Sequence, residues 1–317
     1  KDELKTIPDE GIAKTGKADV FLENGYLAFK NMNAVDSVIN VLNSMNRQGK
    51  DAWEQQMGLK SARAEFDILF DEYEKLTTKE EFLKFKVKYA DKLKFNEKDE
   101  TDCSIGFPFK TIYFLPVLNS HGIYKVGNSL IKFTKEDQII ILDGDLSKLN
   151  NLEAYVGNEN VFIVPKLKSG NTDIEYDNFE WDNPNVAARP NYWFTTPNGN
   201  DRRYRNSLRR ENYWYNLGIP SSGWKVYVYQ TGQKKGTFGW RDYKTVLGLQ
   251  NISIKVDNFP TYQYAGGLTS NEVYSSTTVI AQDFVSGSTW MFNYNPGVIF
   301  SAQTKSRGYD VWVDINH

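Results

Sequence analysis

The sequence has few of the residues that hydrolases commonly use for acid–base or nucleophilic chemistry. Its 317 residues include one cysteine, Cys103, and two histidines, His121 and His317. A single cysteine excludes an internal disulfide and a zinc site built from several thiolates. A serine or cysteine hydrolase needs a histidine base held by a carboxylate, but no Gly-x-Ser-x-Gly or His-Glu-x-x-His motif accompanies His121. We therefore predict that His121 is a turn residue and that Cys103 is inert.

Long apolar runs and an excess of charge are also missing. No apolar run approaches the roughly 20 residues that span a bilayer, and the opening Lys-Asp-Glu-Leu-Lys lacks the apolar core of a signal peptide. The formal net charge is -2, which argues against nucleic-acid partners because these require a basic excess. With 40% hydrophobic and 25% charged residues, the composition is that of a globular protein long enough for about two domains.

Apolar side chains recur at helical spacing between residues 31 and 93. Asn31 or Asn33 is suited to cap the first helix, and Thr78 with Glu81 forms a capping box before the last one. The stripes are Val35, Val38, Ile39, Leu42 and Met45; Ala62, Phe66, Leu69, Phe70 and Tyr73; and Phe82, Phe85, Tyr89 and Leu93. These patterns predict a small helical unit.

A small β region is predicted after the helical unit. Gly122–Val126 and Ser129–Phe133 flank Gly127-Asn128, a pattern typical of a hairpin with a two-residue turn. Ile139–Leu142 and Val161–Val164 are predicted to be two further short strands.

The last third of the chain is rich in aromatic residues and in short alternating segments. Seven of the 8 tryptophans lie from Trp181 onward. Trp224, Val226 and Val228 alternate along one stretch, and Ile252, Ile254 and Val256 along another, so we expect two half-buried strands with a reversal near Gly232–Gly236. Further strand candidates are Thr277–Gln282, Thr289–Tyr294, Val298–Ala302 and Tyr309–Ile315. Many short strands of this kind indicate a sandwich or barrel.

Together these patterns predict an α+β protein. A flexible tether over residues 1–25 precedes an α+β N-terminal domain over residues 26–185, which combines the helical unit and the small β region. An aromatic-rich antiparallel β-sandwich domain follows over residues 186–317.

Several segments resemble uncharacterised secreted lipoproteins of gut Bacteroidetes. The resemblance rests on Gly25-Tyr-Leu-Ala-Phe-Lys-Asn-Met-Asn-Ala-Val-Asp-Ser-Val-Ile-Asn, Ala52-Trp53-Glu54, Gly58-Leu-Lys-Ser-Ala-Arg, Lys234-Lys-Gly-Thr-Phe-Gly-Trp-Arg, and Ser306-Arg-Gly followed by Trp312. It implies export to the outer membrane or cell surface, with a lipidated cysteine that precedes Lys1 as the only attachment to the membrane. These lipoproteins have no assigned activity, so the resemblance supplies no catalytic residues.

The terminal strand candidate gives the clearest indication of a binding site. Alternation places Asp310, Trp312 and Asp314 on one face of this strand. An indole flanked by two carboxylates is suited to carbohydrate, because the ring covers the C–H face of a sugar while the carboxylates accept hydrogen bonds from its hydroxyls. The alternative is that a second layer covers this face and that Trp312 belongs to the core.

A dense basic and aromatic patch supplies two further candidate residues, Arg205 and Trp214. The patch consists of Arg202, Arg203, Arg205, Arg209 and Arg210, with Tyr204, Tyr213, Trp214 and Tyr215 between them. Guanidinium and aromatic groups together stack on bases or clamp acidic sugars. The alternative is a structural role, in which the arginines pair with Asp201 and Glu211.

Paired carboxylates keep an enzymatic alternative open. Glycoside hydrolysis needs two carboxylates about 5 to 9 Å apart, and four acids lie in one acidic stretch, Glu175, Asp177, Glu180 and Asp182. This stretch and Asp143-Gly-Asp145 also offer oxygens to calcium, but neither has the spacing of an EF-hand loop. A solvated acidic loop is the simpler interpretation.

We therefore predict a non-enzymatic, surface-attached binding module whose partner is a glycan or a surface protein. We expect no cofactor, no metal and no nucleic-acid partner. The alternatives are a carboxylate-dependent glycoside hydrolase and a structural or adhesive envelope protein.

Overall fold

The fold is α+β, with helices and mostly antiparallel sheets. The structure, a computed structural model, describes residues 19–97, 99–155, 160–165, 178–181, 193–196, 199–216, 220–256, 261–269, 273–286, 298–306 and 309–316. These residues form two compact units. The first contains the described residues of Lys1–Asp67, Tyr113–Pro165 and Tyr215–Ile219, and the second those of Ile68–Ile112, Lys166–Trp214 and Pro220–His317.

The elements follow one another in this order: β1 (Val20–Glu23), β2 (Tyr26–Phe29), α1 (Met32–Ser44), α2 (Arg47–Met57), α3 (Ala62–Glu74), α4 (Lys79–Lys88), β3 (Lys94–Phe95), β4 (Ile105–Gly106), a 3₁₀ turn (Leu115–Val117), β5 (Ile123–Val126), β6 (Ser129–Phe133), β7 (Asp137–Ile141), a 3₁₀ segment (Leu146–Tyr155), β8 (Val161–Pro165), β9 (Asn178–Trp181), β10 (Trp193–Thr196), β11 (Gly199–Asn216), β12 (Pro220–Gly236), β13 (Gly239–Asp242), β14 (Leu247–Val256), β15 (Tyr262–Thr269), β16 (Ser275–Ser286), β17 (Val298–Ser306) and β18 (Tyr309–Asn316).

The first unit is built on one mixed sheet with the strand order β1-β2-β5-β6-β7-β8. β2 and β5 are parallel, and the other neighbours are antiparallel. The hairpin predicted around Gly127-Asn128 is confirmed, because Val126 pairs with Ser129. A second tight hairpin joins β1 to β2 through Asn24 and Gly25, whose φ angles of 48° and 82° are those of a type I′ turn. Part of the stretch predicted as a tether is therefore a strand, and residues 1–18 lie outside the described residues.

Apolar side chains cover both faces of this sheet. On one face, a buried cluster that includes Tyr26, Ile139 and Ile141 packs against residues of the 3₁₀ segment, such as Leu152. On the other face, α1 contacts β2 and the 3₁₀ turn. The ring of Phe114 stacks there on Tyr124 and Phe133, at centroid distances of 5.4 and 5.7 Å. The first unit thus has a core on each side of its sheet.

The predicted helix caps are confirmed. Asn31 caps α1, and its Oδ1 accepts a hydrogen bond from the backbone N–H of Ala34 at 3.0 Å. At the start of α4 the N–H of Glu81 donates to Thr78 Oγ1 at 3.2 Å, and the N–H of Thr78 donates to Glu81 Oε2 at 3.1 Å. Both arms of the capping box are therefore present.

A buried ion network joins α2 to the start of α3. The guanidinium of Arg63 donates two hydrogen bonds to the carboxylate of Glu54, at 2.7 and 2.6 Å. It also donates to Asp67 and to Asp51, each at 2.5 Å. Burial acts to lower the pKa of Arg63, but the hydrogen bonds to Glu54 and Asp51 outweigh it and raise that pKa. Removing one partner of such a network leaves a buried charge uncompensated.

The second unit contains two larger antiparallel sheets and the β3–β4 pair. One sheet has the order β10-β11-β12-β13, with β16 paired to β12 and β9 paired to β11. The other has the order β15-β14-β17-β18. Three of the strand candidates, Thr277–Gln282, Val298–Ala302 and Tyr309–Ile315, lie in β16, β17 and β18, and Thr289–Tyr294 lies outside the described residues. The predicted domain boundary between residues 185 and 186 lies within residues 182–192, which the structure does not describe, and stays a prediction.

The reversal predicted near Gly232–Gly236 lies directly after this range. β12 ends at Gly236, the chain turns at Thr237 and Phe238, and Gly236 pairs with Gly239 of β13. Gly232 lies within β12 and serves a close approach, because a Cβ added there would lie 2.8 Å from Thr245 Cγ2. Gly236 therefore marks the turn, whereas Gly232 marks close backbone packing.

Half burial was predicted for two strands and holds for one. In β14, Ile252 and Ile254 are buried and Lys255 is exposed, as expected. In β12, Trp224 and Val226 are buried, but so are Lys225 and Tyr227 at the alternate positions. Gln230 of β12 donates from Nε2 to the carbonyl of Gly248 in β14 at 3.1 Å, so strands of the two larger sheets contact each other.

We predict that Arg63→Met lowers the free energy of unfolding by about 3 to 5 kcal/mol, because it leaves the buried carboxylate of Glu54 without its counter-ion. Urea denaturation measures the change. Lys84→Met is the matched control, since Lys84 pairs with Glu80 across an exposed helix turn, and we expect a loss of only about 0.5 kcal/mol. Equal losses of unfolding free energy in the two variants would contradict the claim that the buried network stabilises the fold more than an exposed ion pair does.

Candidate functional site

The backbone of the predicted carbohydrate site lies at one end of a sheet. Asp310, Trp312 and Asp314 belong to β18, which ends the strand order of its sheet and pairs with β17. Asp314 stands opposite Gln303 of β17. The side chains of the three residues lie outside the described residues, so their role stays a prediction.

The pairing of β17 with β18 is irregular at this site. The register runs evenly from Ser301 opposite Asn316 to Thr304 opposite Val313, and the next pair is Ser306 opposite Tyr309. Two steps along β17 therefore correspond to four along β18, so the irregularity includes residues 310–312. Bulges of this kind re-aim side chains and are over-represented next to binding and active sites.

The other two predicted site residues lie in the other larger sheet. Arg205 and Trp214 belong to β11, where they are nine positions apart, which is about 30 Å along a strand. They therefore do not share one small-molecule site. Arg205 stands directly opposite Trp193 of β10, a residue that the sequence analysis did not select. Only the strand register reveals this neighbour.

The acids of the enzymatic alternative are described only in part. Glu180 is the described member of the group, and its backbone in β9 stands opposite Arg209 of β11. Glu175, Asp177 and Asp182 lie outside the described residues. The carboxylate separation that a glycoside hydrolase requires stays untested.

A buried polar cluster in the described part of the second unit is centred on Tyr73. Its buried hydroxyl donates to the carbonyl of Cys103 at 2.9 Å and accepts from the N–H of Asp242 at 3.1 Å. The carboxylate of Asp242 in turn accepts from the N–H of Ile105 at 2.9 Å. Burial raises the pKa of Tyr73 well above its usual value. We call these four residues, together with Arg241, the Tyr73 network.

Arg241 adds both hydrogen bonds and ring contacts to this network. Its guanidinium donates to the carbonyl of Tyr73, in the last turn of α3, and to that of Leu76, two residues beyond the helix. It also lies 4.8 Å from the ring centroids of Tyr73 and Phe238. Much of the Lys234–Arg241 segment, which carries part of the family resemblance, thus has a structural use.

The loop around Cys103 forms an extra backbone connection beside β13. The N–H of Cys103 donates to the carbonyl of Trp240 at 2.8 Å, and the N–H of Trp240 donates to the carbonyl of Thr101 at 2.7 Å. Gly239, at φ 141°, makes this approach sterically accessible, since a Cβ there would lie 2.6 Å from the oxygen of Thr101. A side chain at this position would separate the two segments.

The thiol of Cys103 is buried at the centre of this connection. It lies 3.6 Å from Lys79 Nζ and 3.5 Å from the carbonyl oxygen of Phe238. Burial raises the pKa of Cys103, so the thiol is protonated at neutral pH, and a protonated, buried thiol is a poor nucleophile. This environment agrees with the prediction of an inert cysteine.

The remaining candidates have structural partners. Asp145 Oδ1 accepts from the N–H and the hydroxyl of Ser147, and Asp143 pairs with Lys148, so both acids stabilise the start of the 3₁₀ segment. His121 is exposed in the turn before β5, as predicted.

Among the described residues, no group of three or more His, Cys, Asp or Glu side chains is placed to hold a metal ion. No helix in the described part is long and apolar enough to cross a membrane.

Comparisons with known proteins give one structural match. No protein-family profile matches the chain, and no curated protein matches it. The chain is similar to the crystal structure of a DUF4848 family protein from Bacteroides thetaiotaomicron, with 14% sequence identity and a TM-score of 0.31 over 94% of this chain and 100% of that one. The match assigns no function to this chain.

We predict that the free energy of unfolding falls as the pH rises above 9.0, the ordinary pKa of a cysteine thiol. The raised pKa keeps Cys103 protonated in the folded state while the unfolded chain releases the proton, so alkali favours unfolding. Denaturant titrations of the natural chain and of Cys103→Ala between pH 8 and pH 10 measure the effect.

The Cys103→Ala variant should show a shallower fall over this window, because its remaining pH dependence comes from the other titrating groups. His121→Ala is the control, since it changes an exposed side chain outside this cluster. If the unfolding free energies of the natural chain and of Cys103→Ala fall in parallel with pH, burial does not raise the pKa of this thiol.

Proposed function

We propose that this protein is a non-enzymatic, surface-attached binding module and that its ligand is a glycan, with a surface protein as the next candidate. The observation that carries the proposal is the position of Trp312, between Asp310 and Asp314 on a strand that ends its sheet. A terminal strand leaves one side of its backbone ladder without a described neighbour, which favours access by a ligand.

The chemistry of these residue types supports a sugar ligand. An indole presents a flat apolar surface that matches the C–H face of a pyranose ring. Two carboxylates near that surface accept hydrogen bonds from hydroxyls, and charged acceptors make the stronger bonds. The irregular register over residues 310–312 adds a local distortion of the kind found beside binding sites.

The proposed location rests on the resemblance to secreted lipoproteins. A lipidated cysteine preceding Lys1 would attach the protein to the outer membrane or cell surface, and the polar first residues would serve as a tether. A module held in this way needs no catalytic group in order to capture glycans.

We predict that the chain binds one or more neutral glycans on an array and that Trp312→Ala weakens this binding by about 30-fold or more, because an aromatic anchor typically contributes about 2 kcal/mol. The double variant Asp310→Asn and Asp314→Asn keeps the shape and should weaken binding less. Phe21→Ala is the matched control, since Phe21 is an aromatic residue 50% exposed on the end strand β1 of the first unit.

The binding of a variant is interpreted only if the variant unfolds at the same temperature as the natural chain. If Phe21→Ala reduces binding as much as Trp312→Ala, the site is not on β18. Release of new reducing ends from a bound glycan, abolished by Glu180→Gln, would replace the binding proposal with the hydrolase. If no glycan binds and the part of the fluorescence that Trp312→Ala removes is insensitive to quenchers, the residue belongs to a core and an adhesive or structural role takes precedence.

A further inference from the structure

Strand β1 ends the sheet of the first unit. It pairs with β2 in an even register, from Val20 opposite Phe29 to Glu23 opposite Tyr26. Within the described residues, no strand pairs with the other edge of β1, which we call its outer edge. Such an edge is a template for another strand, and proteins commonly protect it with lysine, proline or a bulge. The strand Val-Phe-Leu-Glu contains none of these three devices.

The backbone groups on the outer edge belong to Val20 and Leu22. Directly before β1, the carbonyl of Asp19 accepts a hydrogen bond from the N–H of Lys30 at 3.0 Å, on the side of β2. Residues that bond to one neighbour alternate along an antiparallel strand with residues that do not, so the backbone groups of Phe21 also point toward β2. The N–H and C=O groups of Val20 and Leu22 therefore point outward.

Large apolar side chains are exposed on this strand. Phe21 is 50% exposed and Leu22 is 37% exposed, and these successive residues lie on opposite faces of the sheet. An edge strand that exposes apolar side chains beside unpaired backbone groups favours association with another strand. A strand added at this edge would bond to the backbone and cover apolar surface on both faces.

We infer that β1 is a self-association surface, at which the β1 strands of two copies of this chain pair antiparallel about a twofold axis. Each face of the sheet then continues into the same face of the second copy, so the axis is perpendicular to the sheet. One register uses both outward residues: Val20 lies opposite Leu22 of the second copy, and Leu22 lies opposite its Val20. Phe21 then lies opposite Phe21 of the second copy as a non-hydrogen-bonded pair, in which the side chains are closest. Centring the axis on Leu22 instead brings in Asn24, whose φ of 48° ends the strand.

The charges at the ends of β1 fit a second copy. In the inferred register, Asp19 lies opposite Glu23 of the second copy. Asp19 is 3.8 Å from Lys30, and Glu23 is 2.8 Å from Lys125, so each end of the paired strands holds two acids and two lysines. Charge is therefore balanced at both ends, and the central aromatic pair adds a favourable cross-strand contact. The edge is complementary to itself in hydrogen bonds, apolar side chains and charge.

This inference goes beyond the proposed glycan binding and is independent of it, since β1 and β18 belong to different sheets. A dimer carries two copies of the β18 site, which raises the apparent affinity on a printed array without a change at either site. Soluble monovalent glycan removes this effect. Measured in solution, Phe21→Ala therefore remains the control for Trp312→Ala, and the two proposals succeed or fail separately.

Sedimentation velocity of the full chain, from about 5 µM to about 500 µM, tests the inference, and we expect a monomer–dimer equilibrium in this range. Phe21→Glu should weaken the dimer by about tenfold or more, because it places two like charges directly opposite each other. Leu83→Glu is the matched control, since Leu83 of α4 is an apolar residue that is also 50% exposed. It should dimerise like the natural chain.

An equal mixture of Phe21→Glu and Phe21→Lys should recover the dimer, since opposite charges then face each other. In the natural chain, the amides of Val20 and Leu22 should exchange more slowly at high concentration, whereas the amide of Phe21 should not change. A natural chain that stays monomeric, an equal loss in Leu83→Glu, or a mixture that stays monomeric would each overturn the inference. The first result and the amide pattern need no variant, so they hold even if a substitution impairs folding.

Discussion

The buried hydroxyl of Tyr73 joins segments of the second unit that are distant in sequence. It bridges the carbonyl of Cys103 and the N–H of Asp242, and the latter is 169 positions away along the chain. Arg241 closes the same network by donating to the carbonyl of Tyr73, in the last turn of α3, and to that of Leu76, two residues beyond the helix. One buried phenol and one guanidinium thereby attach the helical segment of residues 68–112 to the β12–β13 hairpin.

The same constraint explains why several chemically reactive residue types are structural here. Cys103, Tyr73 and Arg241 are buried, and their polar groups bind backbone atoms of neighbouring segments. Burial raises the pKa values of the thiol and the phenol, so both keep their protons at neutral pH. The polar groups of the Tyr73 network are used in hydrogen bonds within the protein, so this cluster is structural. The proposed binding residues of β18 lie away from this cluster in the sequence.

Local signals allowed most of the helical unit to be predicted. Asn31 and the Thr78–Glu81 capping box are determined by residues within one helical turn, so the sequence displays them directly. The Gly127-Asn128 hairpin is equally local. Asn24-Gly25 is also a two-residue turn sequence and indicates the β1–β2 hairpin. The polar character of the preceding residues led instead to the prediction of a tether. The turn after Gly236 is local as well, whereas the role of Gly232 depends on Thr245, which is distant in sequence.

Neither the Tyr73 network nor the pairing of Trp193 with Arg205 could be predicted from the sequence, because both depend on which strands become neighbours. The arginine-rich stretch was visible as a patch, yet the positions of Arg205 opposite Trp193 and of Arg209 opposite Glu180 required the register with β10 and β9. For β18 the alternation of Asp310, Trp312 and Asp314 was visible, whereas the irregular pairing with β17 was not. Long-range register is therefore the information that the sequence patterns lacked.

The central structural claim is that the Tyr73 network makes the helical segment part of the β unit, and amide hydrogen exchange tests it directly. The N–H groups of Cys103, Ile105, Trp240 and Asp242 all donate within this assembly. The account predicts that they exchange as slowly as the central amides of β12 and that Tyr73→Phe accelerates all four together. Fast exchange of these amides in the natural chain, while β12 stays protected, would contradict it.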